Sequence, residues 1–361
     1  MDFKIMNENQ FSIFKNKKII ITGDTGFKGS WLSLWLANMG ANVLGISLEP
    51  KQKNDHYNIL NLENIIQHKT LNICDYNSLE KEILAFEPEI IFHLAAQPLV
   101  KYSYDNSKET FDTNILGSVH ILEIIKQCNS IKALIYVTSD KCYKNKEWIW
   151  GYRENDELGG KDPYSASKAA AEIVFNSYFE SFFKNSERLG VASVRAGNVI
   201  GGGDWSLDRI VPDCIRALNS KKPISIRNPN STRPWQHVLE PLYGYLLLAV
   251  KLLSNPKEFS GSWNFGPNND NVKTVKELSQ KVIEYWGEGS IVETDNSINY
   301  HEANLLKLNC DKSYQFLKWM PTYNFDETIK LTIEWYKSFF ENNAAETTTK
   351  QINNFMRINK L

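Results

Sequence analysis

The 361-residue chain is 42% hydrophobic, enough for a sizeable core in one large domain or two closely packed ones. Its 41 Lys+Arg and 42 Asp+Glu leave a formal net charge of −1, which gives no long-range reason to expect nucleic acid or an anionic membrane as partner. Five widely spaced cysteines without a C-x-x-C argue against a disulfide framework or zinc knuckle; with no apolar leader core up to Ser12 and no apolar run near the ~18 residues of a membrane span, a soluble cytoplasmic protein is expected.

The first half alternates β-rich runs with amphipathic stretches. Strands are predicted at 18–22, 42–46, 69–73, 90–94, 134–138 and 191–195, and their apolar runs suit burial on both faces. Helical spacing is predicted between them at 29–39, 76–86, 110–128 and 163–183. The fold class expected is α/β, a Rossmann-type doubly wound parallel sheet with a smaller C-terminal substrate-binding lobe. After Asn198 the texture changes: Gly201, Gly202 and Gly203 precede Asp204, Trp205 and several prolines. Helices are predicted there at 208–219, 241–253, 275–286 and 325–340, with a strand at 263–265. The domain reading is a dinucleotide-binding unit over 1–200, rejoined by 237–262, and a lobe made of 201–236 and 263–341. The polar stretch 342–361, with Thr347, Thr348 and Thr349, is expected to be a frayed or partner-bound tail.

The first predicted strand ends in Thr22-Gly23-Asp24-Thr25-Gly26-Phe27-Lys28-Gly29 and a helix follows at once. Gly23 permits the tight turn, Gly26 lets backbone approach a pyrophosphate, and Gly29 lets helix and sheet pack closely. At the end of the second strand an acid would bind a ribose 2′-hydroxyl and a base a 2′-phosphate. Ser47 does neither, and Lys51 or Lys53 offers a phosphate partner, so these residues leave the two nicotinamide dinucleotides open.

Tyr164 and Lys168 stand four residues apart, on one face of a helix beginning near Pro163. A phenol with an ordinary pKa of about 10 must lose about three units to act as a base near neutrality, and a nearby lysine and the nicotinamide charge are the expected sources. Thr138-Ser139-Asp140-Lys141 closes the fifth strand, at the carboxyl-end edge where open α/β sheets place ligands. Ser165 to Lys168 also reads as S-x-x-K, and His301-Glu302 opens like a zinc helix. The first lacks its partner motifs and the second its second histidine, so neither a penicillin-binding enzyme nor a metal site is expected.

Together these residues resemble the extended short-chain dehydrogenase/reductase superfamily, through Thr22 to Gly29, Phe92-His93-Leu94-Ala95-Ala96-Gln97, Thr113-Asn114, Ser139 and Tyr164-x-x-x-Lys168. Gly26 to Leu32, Thr138 to Tyr143, Arg195 to Trp205 and Arg233 to Val238 are similar, more closely, to the CDP-glucose 4,6-dehydratase family. Related dehydratases of dTDP-glucose or GDP-mannose carry Asp-Glu or Thr-Glu where this chain has Asp140-Lys141. The resemblance covers roughly residues 15 to 335. It implies a tightly held NAD, reduced and reoxidised in each turnover, against Gly23, Thr25, Gly26, Phe27, Lys28, Gly29, Asn72, Ile73, Ala95, Ala96, Gln97, Thr113, Thr138, Tyr164 and Lys168. Asn72 departs from the aspartate usual in the family where the strand borders the adenine.

The resemblance further implies that Tyr164 and Ser139 act on the C4 hydroxyl, Lys141 on the C5 proton and Asp140 on the C6 hydroxyl, with Lys168 supporting Tyr164. CDP-glucose is then the expected substrate, its diphosphate on Arg209, Arg227 and Arg233 and its sugar beside Asn198, with Gln236, His237 and Glu302 lining the same pocket. A nucleotide-sugar 4-epimerase is the rival activity, and a non-catalytic dinucleotide-binding regulator the rival from outside enzymes. The 110–128 and 163–183 stretches carry apolar residues over more than one stripe, and the family's use of these helices implies a homodimer.

Overall fold

Aliphatic and β-branched runs at the predicted positions form a seven-stranded parallel sheet in the computed structural model, which describes residues 10–294 and 305–361. Its strands are β1 (Lys18–Thr22), β2 (Asn42–Ser47), β3 (Gln67–Thr70), β4 (Ile90–His93), β5 (Ala133–Val137), β6 (Gly190–Arg195) and β7 (Gly261–Asn264). They lie in the order β7-β6-β5-β4-β1-β2-β3. Winding therefore reverses between β1 and β4, the switch point at which such sheets hold ligands beyond their carboxyl ends. β4 to β6 are buried throughout, as strands covered on both faces must be.

The helices that cover the sheet are α1 (Phe27–Asn38), α2 (Tyr76–Phe86), α3 (Gly117–Gln127) and α4 (Pro163–Tyr178). Asp162 caps α4, accepting from the Ser165 amide at 2.9 Å and the Ser165 hydroxyl at 2.6 Å, and Pro163 opens its first turn. Two long predicted helices are interrupted. A π-helical turn over Asp112–Leu116 precedes α3, and another over Phe179–Phe183 follows α4. The third strand stops earlier than predicted, because the Asn72 side chain accepts the Cys74 amide at 2.9 Å and turns the chain out of the sheet.

Beyond the sheet's carboxyl edge stand α5 (Ile210–Asn219), α7 (Val275–Trp286) and α8 (Phe325–Phe340), while α6 (Leu239–Ser254) leads back to β7. Three two-stranded ladders tie this part together: Val199–Ile200 with Gln236–His237, Thr232–Pro234 with Val272–Thr274, and Ile224–Ile226 with Ile291–Glu293. One apolar core runs from Ile19, Phe92 and Ile135 of the sheet to Ile224, Leu278 and Ile333 outside it.

The expectation of a frayed tail is corrected. α9 (Ala344–Ile358) is a helix, and Ala344, Thr348, Ile352 and Phe355 form a buried stripe at helical spacing within an otherwise polar string. Trp335 Nε1 donates to Thr348 Oγ1 at 2.7 Å, and the Phe355 ring meets Trp35, Tyr243 and Tyr323. Among the described residues no helix is long and apolar enough to cross a membrane.

Candidate active site

The glycine turn after β1 is closely packed. A Cβ on Gly23, which has φ +80°, would stand 2.8 Å from the Ala95 nitrogen, and one on Gly29 would stand 2.0 Å from the Gly23 oxygen. α1 follows Gly26 at its cap position, with no capping side chain and no acid in its first turn, so its first N–H groups and the helix dipole favour an anion. Thr25 Oγ1 bonds Ser47 Oγ at 2.8 Å, which joins the turn to the end of β2. The Ala95 amide donates to Thr22 Oγ1 at 3.2 Å, and Thr22 Oγ1 also bonds His93 Nδ1 at 2.7 Å.

Ser139, Asp140, Tyr164 and Lys168 are all buried at the adjoining carboxyl ends of β5 and β6. Ser139 Oγ donates to Asp140 Oδ1 at 3.0 Å, and Asn198 Nδ2 donates to Asp140 Oδ2 at 3.3 Å. The carboxylate lies so close to the backbone after β6 that a Cβ on Gly197 would stand 1.8 Å from Oδ2. Lys141 is next in the same turn, half-buried, its amide donating to Ser139 Oγ at 3.3 Å. Tyr164 is held by its own backbone: its amide donates to Ser103 Oγ at 3.2 Å and its carbonyl accepts from Ser167 Oγ at 2.7 Å. Asn114 Nδ2 donates to that Ser167 hydroxyl at 2.8 Å, so the turn between Tyr164 and Lys168 is pinned to the π-helical turn before α3.

The phenol is raised in the chain alone. Burial pushes Tyr164 up to about 12; a hydrogen bond with Ser139 and the charge of Arg209 pull it down, while Asp140 and Asp162 push it up. Burial brings Lys168 down to about 8, with Glu172 and Cys142 opposing, so it still carries most of its charge at neutrality. Lys28 also comes down to about 8 through burial and the repulsion of Arg209 and Lys168, with Asp140 opposing. Lys28 thus has Arg209, Lys168 and Asp140 as its charged neighbours.

The remaining predicted residues separate into groups. Arg209 pairs with Asp204 at 2.8 Å beside this cluster, and Arg227 pairs with Asp208 at 3.3 Å in a more exposed position. Arg233 is half-buried in Thr232–Pro234 and donates to the Thr232 carbonyl at 2.8 Å. Gln236 and His237 are both buried. The Gln236 amide is spent on the Gly197 and Phe265 carbonyls at 3.0 Å each, and His237 is fully buried edge-on to Trp31 and Tyr323. Gln236 Oε1 and His237 Nε2 are buried with no hydrogen-bond partner among the described residues, and burial drives His237 down to about 3. Gln97 spends its side chain on Thr110 and Leu99, and Ile73 packs against Gly117. Thr113 lies in the π-helical turn and hydrogen-bonds Cys74, while Thr138 turns its hydroxyl toward Glu172, beneath the strand end. Ala95 and Ala96 follow β4, half-buried. Glu302 lies outside the described residues.

Sequence reasoning missed Glu172 and Arg195, which form a buried ion pair of 2.7 Å. An arginine closing the apolar run Val191 to Val194, and an acid one turn beyond Lys168, were the available signals.

The family model for GDP-mannose 4,6 dehydratase matches residues 20–332. A CDP-glucose 4,6-dehydratase of Salmonella typhimurium is 46% identical over 332 residues, which cover 91% of this chain and 92% of that protein. Two solved structures share the fold. An epimerase of Methanothermobacter thermautotrophicus has a TM-score of 0.80 at 21% identity, covering 94% of this chain and 98% of its own. The dTDP-glucose 4,6-dehydratase of Bacillus anthracis in complex with NAD has a TM-score of 0.75 at 22% identity, covering 90% and 98%. By sequence over most of its length, and with a fold to match, the chain belongs to the GDP-mannose 4,6 dehydratase family.

Proposed function

We propose that this chain is an NAD-dependent CDP-glucose 4,6-dehydratase, converting CDP-D-glucose to CDP-4-keto-6-deoxy-D-glucose and water for deoxysugar and surface-polysaccharide synthesis. The observation that carries the reading is the convergence of Tyr164, Ser139 and Asp140 at one sheet edge, with Lys141 in the same turn. The 46% identity to the Salmonella enzyme supports CDP-glucose as the substrate.

The residues fit a dinucleotide. The uncapped start of α1, the close-packed turn at Gly23 and Gly29, and the cations Lys28 and Lys168 suit a pyrophosphate and a nicotinamide ribose. Gly23, Thr25, Gly26, Phe27, Lys28 and Gly29 would hold the phosphates, Asn72 and Ile73 the adenine end, and Ala95, Ala96, Thr113 and Lys168 the rest. The Thr70 hydroxyl donates to the Glu49 carboxylate beyond the end of β2, and a negative charge there favours NAD over its 2′-phosphorylated form. When bound, NAD supplies a two-electron acceptor that is regenerated within each cycle.

The chain's own residues manage protons and orientation. Tyr164 accepts the proton of the C4 hydroxyl while Ser139 hydrogen-bonds the same oxygen as it becomes a carbonyl. The 4-keto group acidifies C5, whose proton passes to Lys141. Asp140 gives its proton to the C6 hydroxyl, which leaves as water, and Lys141 returns its proton to C5 as C6 takes up the hydride. Asn198 orients Asp140, and Arg209, Arg227 and Arg233 bind the diphosphate.

The enzyme works in the cytoplasm as a homodimer. All five cysteines are free, and Leu116, Ile173 and Phe182, on or beside α3 and α4, expose apolar surface suited to a second copy. The function is tested by incubating the NAD-loaded enzyme with CDP-, dTDP-, GDP- and UDP-glucose and with GDP-mannose, and weighing the products. Loss of one water from CDP-glucose is expected, and Tyr164→Phe should slow it by about 10²- to 10⁴-fold. A product of unchanged mass would make the protein an epimerase.

A further inference from the structure

Beneath the Tyr164, Ser139 and Asp140 cluster lies the Glu172–Arg195 pair, which none of the proposed proton steps uses. Glu172 stands four residues after Lys168 and eight after Tyr164, so all three share one face of α4. Its carboxylate is almost wholly buried; it pairs with Arg195 at 2.7 Å and accepts from Ser193 Oγ at 2.9 Å and from the Thr138 hydroxyl. Thr138 immediately precedes Ser139. From its other nitrogen, Arg195 donates to Tyr143 Oη at 2.7 Å and to the Glu154 carbonyl at 2.9 Å. Tyr143 in turn donates to Asn264 Oδ1 at 2.8 Å, and it immediately follows the Asp140–Cys142 turn.

One ion pair thus grips the helix that carries Tyr164 and Lys168, and both ends of the segment that carries Ser139, Asp140 and Lys141. Its cost argues for more than stability. Buried pairs are often no better than apolar side chains of the same size, and here Arg195 Nε is buried with no hydrogen-bond partner among the described residues. We propose that Glu172 and Arg195 are positioning residues that set the distance between the Tyr164–Lys168 helix face and the Ser139–Lys141 turn, a proposal that rests on the dehydratase reading of the same site. Glu172 also faces Lys168 and Cys142, and its charge supports the protonated form of Lys168.

The test uses the NAD-loaded enzyme and the double variant Glu172→Gln/Arg195→Met, which removes both charges together and leaves neither buried alone. The melting temperature should stay within a few degrees of the parent's. Turnover of CDP-glucose should fall about 10²-fold at a nearly constant KM, as expected when reacting groups shift by about an ångström. The ionisation of Tyr164, read as phenolate absorbance against Tyr164→Phe, should move upward as Ser139 draws away; Asp140, Asp162 and Arg209 also face this phenol and are retained. Thr138→Val keeps the charges, cuts only the hydroxyl link, and should cost about tenfold in kcat while the melting temperature falls by only a few degrees. Parental kcat in Thr138→Val, or in the double variant, overturns the proposal. If the parent releases no water from CDP-glucose, the dehydratase reading falls, and the Tyr164 ionisation still decides whether the pair positions the site.

Discussion

Burial drives the Tyr164 and Lys168 pKa values apart, the phenol up to about 12 and the ammonium down to about 8. In each the neutral form is favoured, because a poorly hydrated site resists charge of either sign. The chain alone therefore leaves the phenol protonated at neutrality, and the positive ring of a bound nicotinamide is the remaining source of a downward shift. The lysine has a consequence for stability. Its folded pKa lies below its ordinary 10.5, so the folded state holds fewer protons than the unfolded between about 8 and 10.5. Stability from this group is complete above that window and is lost as pH falls through about 8. Lys168→Met should lack this slope, gaining on the order of 1–3 kcal/mol relative to the parent at pH 7 and much less at pH 10. Urea unfolding at the two pH values checks it, and equal gains at both would exclude a buried, depressed lysine.

α9 shows how an element can be hidden by its composition. Its exposed positions are mostly Glu, Lys, Asn and Arg, and only one residue in three or four turns inward, onto Trp35, Trp335 and Tyr243. Phe355 is fully buried in that contact, so Phe355→Ala should cost about 3–5 kcal/mol. Chemical denaturation would show it, and a loss below about 1 kcal/mol would mean that the helix docks only weakly. α4 illustrates a different principle. Its cap at Asp162 and Pro163 fixes where the helix starts, and that start fixes which face Tyr164, Lys168 and Glu172 share. The π-helical turn before α3 brings the Asn114 amide to Ser167, between Tyr164 and Lys168. A predicted uninterrupted helix over 110–128 would have turned Asn114 elsewhere.

For the molecule as a whole, three buried histidines make acid the vulnerable side. His56, His93 and His237 are each brought down to about 3 by burial, with Lys168 assisting at His93. Their folded pKa values lie below the ordinary 6.5, so they remain neutral in the fold while the unfolded chain takes up protons. The stability they contribute is complete above pH 6.5 and drains away as pH falls toward 3. Each should remove up to about 1.4 kcal/mol per pH unit in that window. His237→Phe should therefore make the pH dependence between 6 and 4 shallower by close to one proton. Thermal melts across that range measure it, and an unchanged slope would show that His237 is protonated in the fold.

The amino-acid sequence by itself determined the parallel sheet, the glycine turn at the start of α1 and the Tyr164 and Lys168 spacing, because each is set by neighbours within a few residues. Periodicity names the buried face of a strand, a glycine pattern names a turn, and a separation of four names one side of a helix. Only the tertiary structure decided which polar residues face the chemistry. Gln236 and His237 stand in a motif that resembles a binding segment, and long-range packing ties one to the Gly197 and Phe265 carbonyls and sets the other among aromatic rings. Glu172 and Arg195 are 23 positions apart and meet only because α4 returns the chain to β6 beside β5. Burial and partnership depend on contacts between distant segments, and no local pattern carries that information.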